Sequence, residues 1–544
     1  MDKQMDKQHF FSRRSFILGA TALLVGGMFF RVRAQNNTEK KSVPVSNRSV
    51  PAANARLGVN LSGIADWSSE QPFVDFFAMS RDWISQSGTG WGTGPQLNLD
   101  EHGWIKALPE GVRATRIICS LDKGQYPGGE YVILYEGEGE FKTPFPAAQI
   151  VKRAPGRLEL LVNPKKGMFA IDLVRTDPKN YVRNIRVIAP GFEATYKENP
   201  WHPEFLKRWA GVACIRLMDY MAINNSKQLR WNDRPKVGDA GYSTKGVPLA
   251  LLVDLANRLE TDAWFCVPHQ ADDDYVTQFA HYIKANLKPN LRAWVEYSNE
   301  TWNGMFSQSQ YASQMGQQLK LADKPWEAAW LYTAYRSIEI FKLLDAVYAG
   351  QAGLVKVLPS QAASSYTSEQ ILRFNEAAKY ADALAIAPYV SFNVMPQGGD
   401  INEKVVENWN LDKLFNYLNR VALPESAKWI QENKKVADQY GLMLVAYEGG
   451  QHLVGIGGVE NNNQLNQLFF DANADKRMGE VYTKNLTDWQ KAGGDLFCTF
   501  NSVNEWSKWG YWGLLRNRFE NPKESPKFNA VMQWAKSRGQ KMNM

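Results

Sequence analysis

From about residue 200 the chain alternates short apolar runs with longer amphipathic ones. ACIRLM (213–218), DAWFCVPH (262–269), RAWVEYSN (292–299), GLVKVLPS (353–360), DALAIAPY (382–389), GLMLVAYE (441–448) and DLFCTFNS (495–502) are apolar on successive residues rather than on every second one. That pattern predicts strands of a parallel sheet covered on both faces. Between them, PLALLVDLANRL, YVTQFAHYIKANL, PWEAAWLYTAYRSIEIFKLLDAVYAG, TSEQILRFNEAAKYA, SAKWIQENKKVADQY, GEVYTKNLTDWQKA and SPKFNAVMQWAKS have helical spacing. Asp272–Asp274 read as an N-cap cluster, and Pro opens and Gly closes the third of these segments. An eighth strand is available upstream in ARLGVNLSG (55–63). Eight strand–helix units predict an α/β fold, a (β/α)8 TIM barrel.

Residues 100–190 break this rhythm. EYVILYEG, RLELLVN, FAIDLVRT and NIRVIAPG are separated by the turns YPGGE, APGR and NPKKG. Short strands at that spacing predict an antiparallel β-sandwich. The expected organisation is an export signal over 1–34, a linker over 35–55 and the first barrel strand with its loop over 56–99. The inserted sandwich follows over 100–195, and the rest of the barrel over 196–544. A competing reading makes the sandwich a separate domain ahead of the barrel, with ARLGVNLSG belonging to it.

Composition narrows the function classes. The chain is 44% hydrophobic and 22% charged, which suits a large core and excludes wholesale disorder. Aromatic residues make up 12% of the chain, enough either to fill a core or to line a groove for flat apolar faces such as sugar rings. Of the net charge of +7, +4 sits in residues 1–34, so +3 is spread over the remainder. With no dense Lys/Arg tract left, binding of nucleic acid through a basic patch is unsupported. Ser12-Arg13-Arg14-Ser15-Phe16-Ile17-Leu18 resembles the twin-arginine export signal, followed by FILGATALLVGGMFF and small residues at Val32-Arg33-Ala34. The apolar stretch is short for a membrane span, which needs about 20 residues. Cleavage and a retained anchor are both open, and membrane contact is expected through this segment alone. Either way the working part is expected in the periplasm or outside the cell. Residues 35–55 lack periodicity. The four cysteines show no CxxC spacing, and three lie in apolar runs as small hydrophobes. The six histidines never approach metal-ligand spacing, so neither a metal nor a cofactor is expected.

A TIM barrel exposes its chemistry at the C-terminal ends of its strands. Read in order, those ends are Asn60, Arg216 with Asp219, His269, Asn299 with Glu300, Gln361, Tyr389, Glu448 and Trp506. Two carboxylates, Glu300 and Glu448, therefore stand across one barrel mouth. Glycosidic cleavage needs such a pair: one protonates the leaving oxygen, while the other stabilises or attacks the oxocarbenium-like carbon. Asn-Glu occurs four times, at 299–300, 375–376, 402–403 and 504–505. Only the first comes immediately after an apolar strand.

This constellation resembles the clan of retaining glycoside hydrolases on (β/α)8 barrels that includes the family 5 cellulases and mannanases. The resemblance covers roughly residues 55–65 and 200–535. It implies that Asn299-Glu300 in YSNETW is the Asn and acid/base pair closing the fourth strand, and that Glu448 in VAYEGG is the nucleophile. It further implies that Arg216 supports the nucleophile, Tyr389 donates to it, His269 faces substrate and Trp506 floors the sugar site. The chain departs from the family at Ala387 and Pro388, where a His two residues before the Tyr is common. The function so implied is an exported retaining hydrolase of β-linked polysaccharide or oligosaccharide. Its carboxyls would be about 5–5.5 Å apart, as retention requires. Arg216 and Tyr389 would hold Glu448 ionised, Trp294 or Trp302 beside Glu300 would raise its pKa, and Trp506, Trp302 and Trp67 would stack on sugar rings. The rival functions are a non-catalytic glycan-binding or matrix protein and a transglycosylase using the same carboxylates.

Other features have plainer readings. Glu296 reads as a paired structural charge, Asp272–Asp274 as a helix cap, and His269 as either a site residue or a capped core histidine. GTGWGTG (88–94) reads as a loop placing Trp91 at the cleft rim. GGQHLVGIGG after Glu448 reads as a flexible loop offering His452 as a substrate contact.

Overall fold

The computed structural model describes residues 54–121 and 124–543; the expected export signal and the linker up to residue 53 lie outside the described residues. Eight parallel strands close on themselves: Arg56–Asn60, Cys214–Arg216, Asp262–Val267, Ala293–Tyr297, Leu354–Pro359, Ala383–Ile386, Met443–Ala446 and Leu496–Thr499. Chain order is spatial order. The seam is closed by pairing of Arg56–Val59 with Leu496–Thr499. This is the (β/α)8 barrel expected from the apolar runs, and each run contains one strand.

The runs lack alternation because both faces are covered. All six residues of the third strand and all five of the fourth are buried. At Gly58 in the first strand a Cβ would meet the Cys498 Sγ at 2.6 Å and the Cys214 carbonyl at 3.0 Å, so the seam tolerates only glycine there. Helices fall between the strands at the predicted segments. The Asp272 side chain accepts from the Tyr275 N–H and caps Asp273–Asn286, and Pro325 opens the 24-residue helix Pro325–Tyr348. TSEQILRFNEAAKYA is not one helix. Ser365–Arg373 gives way to a 3-10 turn in which Asn375 and Glu376 take left-handed backbone, with φ of 45° and 57°.

Two four-stranded antiparallel sheets lie between the first and second barrel strands. One consists of Ile84–Ser87, Val112–Cys119, Phe169–Thr176 and Gly139–Lys142; the other of Arg183–Ile188, Gly129–Glu136, Arg157–Val162 and Ala148–Ala154. They meet through rings such as Tyr131 and Phe169, edge to face at 5.5 Å. The first sheet begins upstream of residue 100, because Ile84–Ser87 pairs with Val112–Thr115. A strand of four residues defined by a distant partner has no local signature. GTGWGTG is the turn after that strand, and Trp91 faces Phe145 on the sandwich at 6.2 Å; it is not among the residues lining the cleft described below.

Beyond the mouth, Val390–Val394 and Gln451–Gly455 pair in parallel and continue the sixth and seventh strands. GGQHLVGIGG is therefore not a flexible loop: Gln451–Gly455 is a fully buried strand. Gly449 lets it pass, since a Cβ there would run into the Phe497 ring. At the opposite end of the barrel Arg56 pairs with Asp495 at 2.8 Å and Arg292 with Asp262 at 2.8 Å.

Candidate active site

Three short barrel strands bring one cation into the mouth. Asn60, Arg216 and Trp264 are register partners on the first three strands. Arg216 is fully buried and spends its whole guanidinium on side chains. Nη1 donates to Glu448 Oε1 at 2.9 Å and Asn60 Oδ1 at 3.1 Å. Nη2 donates to Glu296 Oε2 at 3.0 Å and Asn299 Oδ1 at 2.9 Å. Burial opposes its charge, but Glu296 and then Cys266 and Glu448 hold it protonated. Glu296 is thus a paired charge, as expected, and it also accepts from the Trp264 indole N–H at 2.8 Å. Its place in the same guanidinium network as Glu448 makes it part of the scaffold under the mouth.

Glu448, two residues past the end of the seventh strand, receives two donors. Arg216 occupies one oxygen, and the Tyr389 hydroxyl donates to the other at 2.9 Å. Burial raises its pKa, and the Arg216 charge and the Tyr389 hydrogen bond oppose the rise. Glu300 has a different setting. Its oxygens accept from Asn303 Nδ2 at 3.0 Å and from the Tyr447 hydroxyl at 3.4 Å, with no cation bonded to either. Burial, followed by the charge of Glu448, pushes Glu300 well above the usual carboxyl range. Of the two carboxyls, Glu448 therefore ionises first and Glu300 keeps its proton. The backbone here is strained: Ser298 and Glu300 have φ of 58° and 43°, conformations costing about 1–3 kcal/mol each in non-glycine residues. The Ser298 N–H donates to the Val267 carbonyl and the Asn303 N–H to that of Glu300, both at 2.8 Å, which holds the turn.

The other expected site residues divide. Asn299 joins the network, donating to Asn224 Oδ1 at 3.0 Å. His269 is buried, its ring 5.3 Å from Tyr311 and Nε2 3.2 Å from Gln270 Nε2. Burial pushes it down to about 4, so it is neutral at neutral pH. Trp302 is half-buried and is not a partner of Glu300. Trp294 is stacked on Trp264 at 5.6 Å and donates to Asp262 at the start of the third strand, so it is not the neighbour that raises Glu300. Trp506 is packed inward, donating to the Gly513 carbonyl at 2.9 Å with the Lys527 ammonium 4.2 Å from its ring. The ring at the end of the eighth strand is instead Phe500, 6.5 Å from Tyr389. His452 bonds Asn393 Oδ1 at 2.7 Å and lies 5.3 Å from Tyr389.

A cleft of about 280 Å³ adjoins this network. It is walled by loops after the first, second and eighth strands, including Trp67, Asp219, Asn224, Glu505, Trp509 and Trp512. Its walls stop short of Glu300 and Glu448. Asn224 links it to Asn299, and Trp512 to Phe500 at 5.8 Å. Asp219 stands among the strand ends counted from the sequence, whereas Tyr447, Asn303 and Trp512 do not. Tyr447 and Asn303 do carry a signal there, since each lies within three residues of a candidate glutamate. Among the described residues no three His, Cys, Asp or Glu side chains converge as metal ligands.

No family model and no curated protein matches this chain. Among solved structures it is similar to a 4-O-α-L-rhamnosyl-β-D-glucuronidase from Fusarium oxysporum 12S, with 13% identity, TM-score 0.38, and coverage of 61% of this chain and 63% of that enzyme. The N-terminal CBM22-1–GH10 modules of a Clostridium thermocellum endo-1,4-β-D-xylanase are matched at 10% identity and TM-score 0.36, over 86% of this chain and 97% of theirs. A GH5-4 broad specificity endoglucanase from Clostridium acetobutylicum is matched at 13% identity and TM-score 0.33, over 61% of this chain and 90% of its own. Family 26 endo-β-1,4-mannanases are further neighbours. The fold assignment rests on this chain's own closed eight-strand barrel.

Proposed function

We propose that this chain is a retaining glycoside hydrolase acting on β-linked polysaccharide, exported through the twin-arginine motif at Arg13-Arg14. The observation that carries the reading is the unequal treatment of two buried glutamates at one barrel mouth. Glu448 is bonded by a guanidinium and a phenol, whereas Glu300 has no cation and keeps its proton. In the first step Glu448 attacks the anomeric carbon as the glycosidic C–O bond breaks, and the Glu300 proton passes to the leaving oxygen. In the second step Glu300 takes a proton from water, and that oxygen displaces Glu448 from the sugar. Arg216 and Tyr389 stabilise the carboxylate that Glu448 must be at the start and become again at the end.

The test is a panel of soluble β-1,4- and β-1,3-glucans, mannans and xylans, with NMR of the first anomer released. The expected product is the β-anomer. Glu448→Gln is expected to lower the rate by at least ~10³-fold and Glu300→Gln by ~10²–10⁴-fold. Release of the α-anomer, or a Glu448→Gln variant as fast as the parent, would overturn the mechanism.

A further inference from the structure

The cleft opens on the side of the first, second and eighth strands. On the side of the fourth strand stands a helical hairpin, Ser307–Gln318 and Pro325–Tyr348, whose two legs are bonded to the residues flanking Glu300. Gln308 Nε2 donates to the Asn299 carbonyl at 3.0 Å, and Thr333 Oγ1 lies 2.7 Å from Thr301 Oγ1. The second leg outruns the barrel. Helix Asp273–Asn286, which starts at the mouth, runs beside only its later part: Arg336 bonds Asp273 at 2.8 Å and the Ala271 carbonyl at 2.9 Å, and Lys284 donates to the Val347 carbonyl at 2.8 Å. Residues 325–335 therefore extend past the mouth, about 16 Å of helix. The tip is braced by Gln317 Nε2, which donates to the Asp323 carbonyl at 3.1 Å, and by the Leu321 N–H on the Gly316 carbonyl at 2.9 Å.

The face of this leg that carries Thr333 also carries Trp330 and Trp326, roughly one and two turns farther out. Trp326 is 48% exposed and Trp330 half-buried, with their ring centroids 4.8 Å apart and the Lys324 ammonium 5.2 Å from the Trp326 ring. Tryptophan is highly buried on average, yet this pair stands in water on a braced hairpin. At the foot of the hairpin, Trp302 holds a buried indole N–H with no acceptor among the described residues. Buried donors are nearly always paired, so this one points to an acceptor that the chain does not supply.

We propose that Trp302, Trp330 and Trp326 form a sugar-binding strip on the leaving-group side of the scissile bond, so that the glycan runs from the cleft, across Glu448 and Glu300, and along the hairpin. Glu300 passes its proton to the leaving oxygen, and the strip starts at Glu300; what it holds is the part of the glycan that departs. Indole rings offer flat apolar faces to pyranose rings and an N–H to their oxygens. A glycan held on both sides of the reacting bond is cut internally rather than trimmed from one end. The direction of the strip rests on the glycosidase reading; its affinity for sugar rests on the rings and on their continuity with the mouth.

The test measures binding of cellohexaose, mannohexaose and xylohexaose to the Glu300→Gln protein by calorimetry, with and without Trp326→Ala. The hexaose bound most tightly is expected to lose at least ~5-fold in affinity in Trp326→Ala, and Trp326→Phe, which keeps a ring, to recover most of it. Trp326→Leu keeps apolar bulk without a flat face and carries the test if Trp326→Ala does not fold. With Glu300 intact, Trp326→Ala is expected to raise KM for that hexaose by a similar factor with kcat within ~2-fold. On the corresponding 4-nitrophenyl β-glycoside, whose leaving group is too short to reach Trp326, kcat/KM should stay within ~2-fold. No binding of any hexaose, affinity unchanged in Trp326→Ala, or an equal loss on the nitrophenyl glycoside would overturn the proposal. So would a parent dimer that Trp326→Ala splits with hexaose affinity unchanged, which would make the strip a contact between copies. Binding and turnover separate the two readings. Hexaose binding that depends on Trp326 without cleavage of any glycan defeats the hydrolase reading and leaves the strip standing. Cleavage indifferent to Trp326→Ala does the reverse.

Discussion

Both ends of the barrel carry arginines bonded to carboxylates, in different proportions. At the N-terminal end two cations meet two anions: Arg56 pairs with Asp495 at 2.8 Å and with Asp262 at 3.9 Å, and Arg292 pairs with Asp262 at 2.8 Å. The two arginines are partly exposed and the two aspartates are buried. At the C-terminal end one fully buried guanidinium serves Glu296 and Glu448, and Glu300 and Asp219 lie within range of the Glu448 charge with no cation of their own. Burial there raises the pKa of all four carboxyls, Glu296, Glu448, Glu300 and Asp219, an arrangement that costs stability. The difference is one of cation supply: two arginines for two carboxylates at one end, one for four at the other.

Removing the shared cation tests this difference most severely. Arg216→Met leaves Glu296 and Glu448 buried without a counter-charge and is expected to cost about 3–5 kcal/mol in urea unfolding, together with the activity. The sign with pH follows from the same groups. Both carboxyls already have native pKa values above their unfolded ones, and losing Arg216 raises them further. The native state then holds more protons than the unfolded state above the ordinary carboxyl range, so the deficit grows as pH rises through the raised values and shrinks in acid. Tyr389→Phe is a smaller cut. It removes one donor from Glu448, so the acid limb of the pH–rate profile should move to higher pH by about one unit, equivalent to ~1.4 kcal/mol. An acid limb that stays in place would mean that Glu448 is not the group titrating there. Smallest of all, Arg56→Ala at the N-terminal end should cost about 0.2–1 kcal/mol and leave the rate unchanged. If it proves as damaging as Arg216→Met, the contrast between the ends is broken.

The eight barrel strands were legible because strands buried on both faces are apolar on successive residues rather than on every second one, a signal contained in a short run. Ile84–Ser87 and Gln451–Gly455 escaped because their status as strands comes from partners far along the chain. Glu300 and Glu448 could be found as candidates because the barrel puts strand ends at one mouth, and those ends can be counted. Trp506 shows the limit of counting. It stands near the end of the eighth strand, but its indole is drawn inward by the Gly513 carbonyl and packed against Lys527, and Phe500 takes the place beside Tyr389. A strand end locates a backbone; the rotamer and its neighbours decide where a large side chain goes.

By itself, the sequence determined the architecture and the two carboxyls, since both follow from local patterns of burial and from strand order. Only the tertiary structure decided how those carboxyls differ. Their local pattern is alike, each a glutamate after an apolar strand, and on the sequence side only the resemblance assigned them different roles. In the folded chain Arg216 comes from 84 positions before Glu300 and 232 before Glu448, and it bonds only the more distant one. Interactions between charges depend on distance and on excluded water, and both exist only once the barrel has closed.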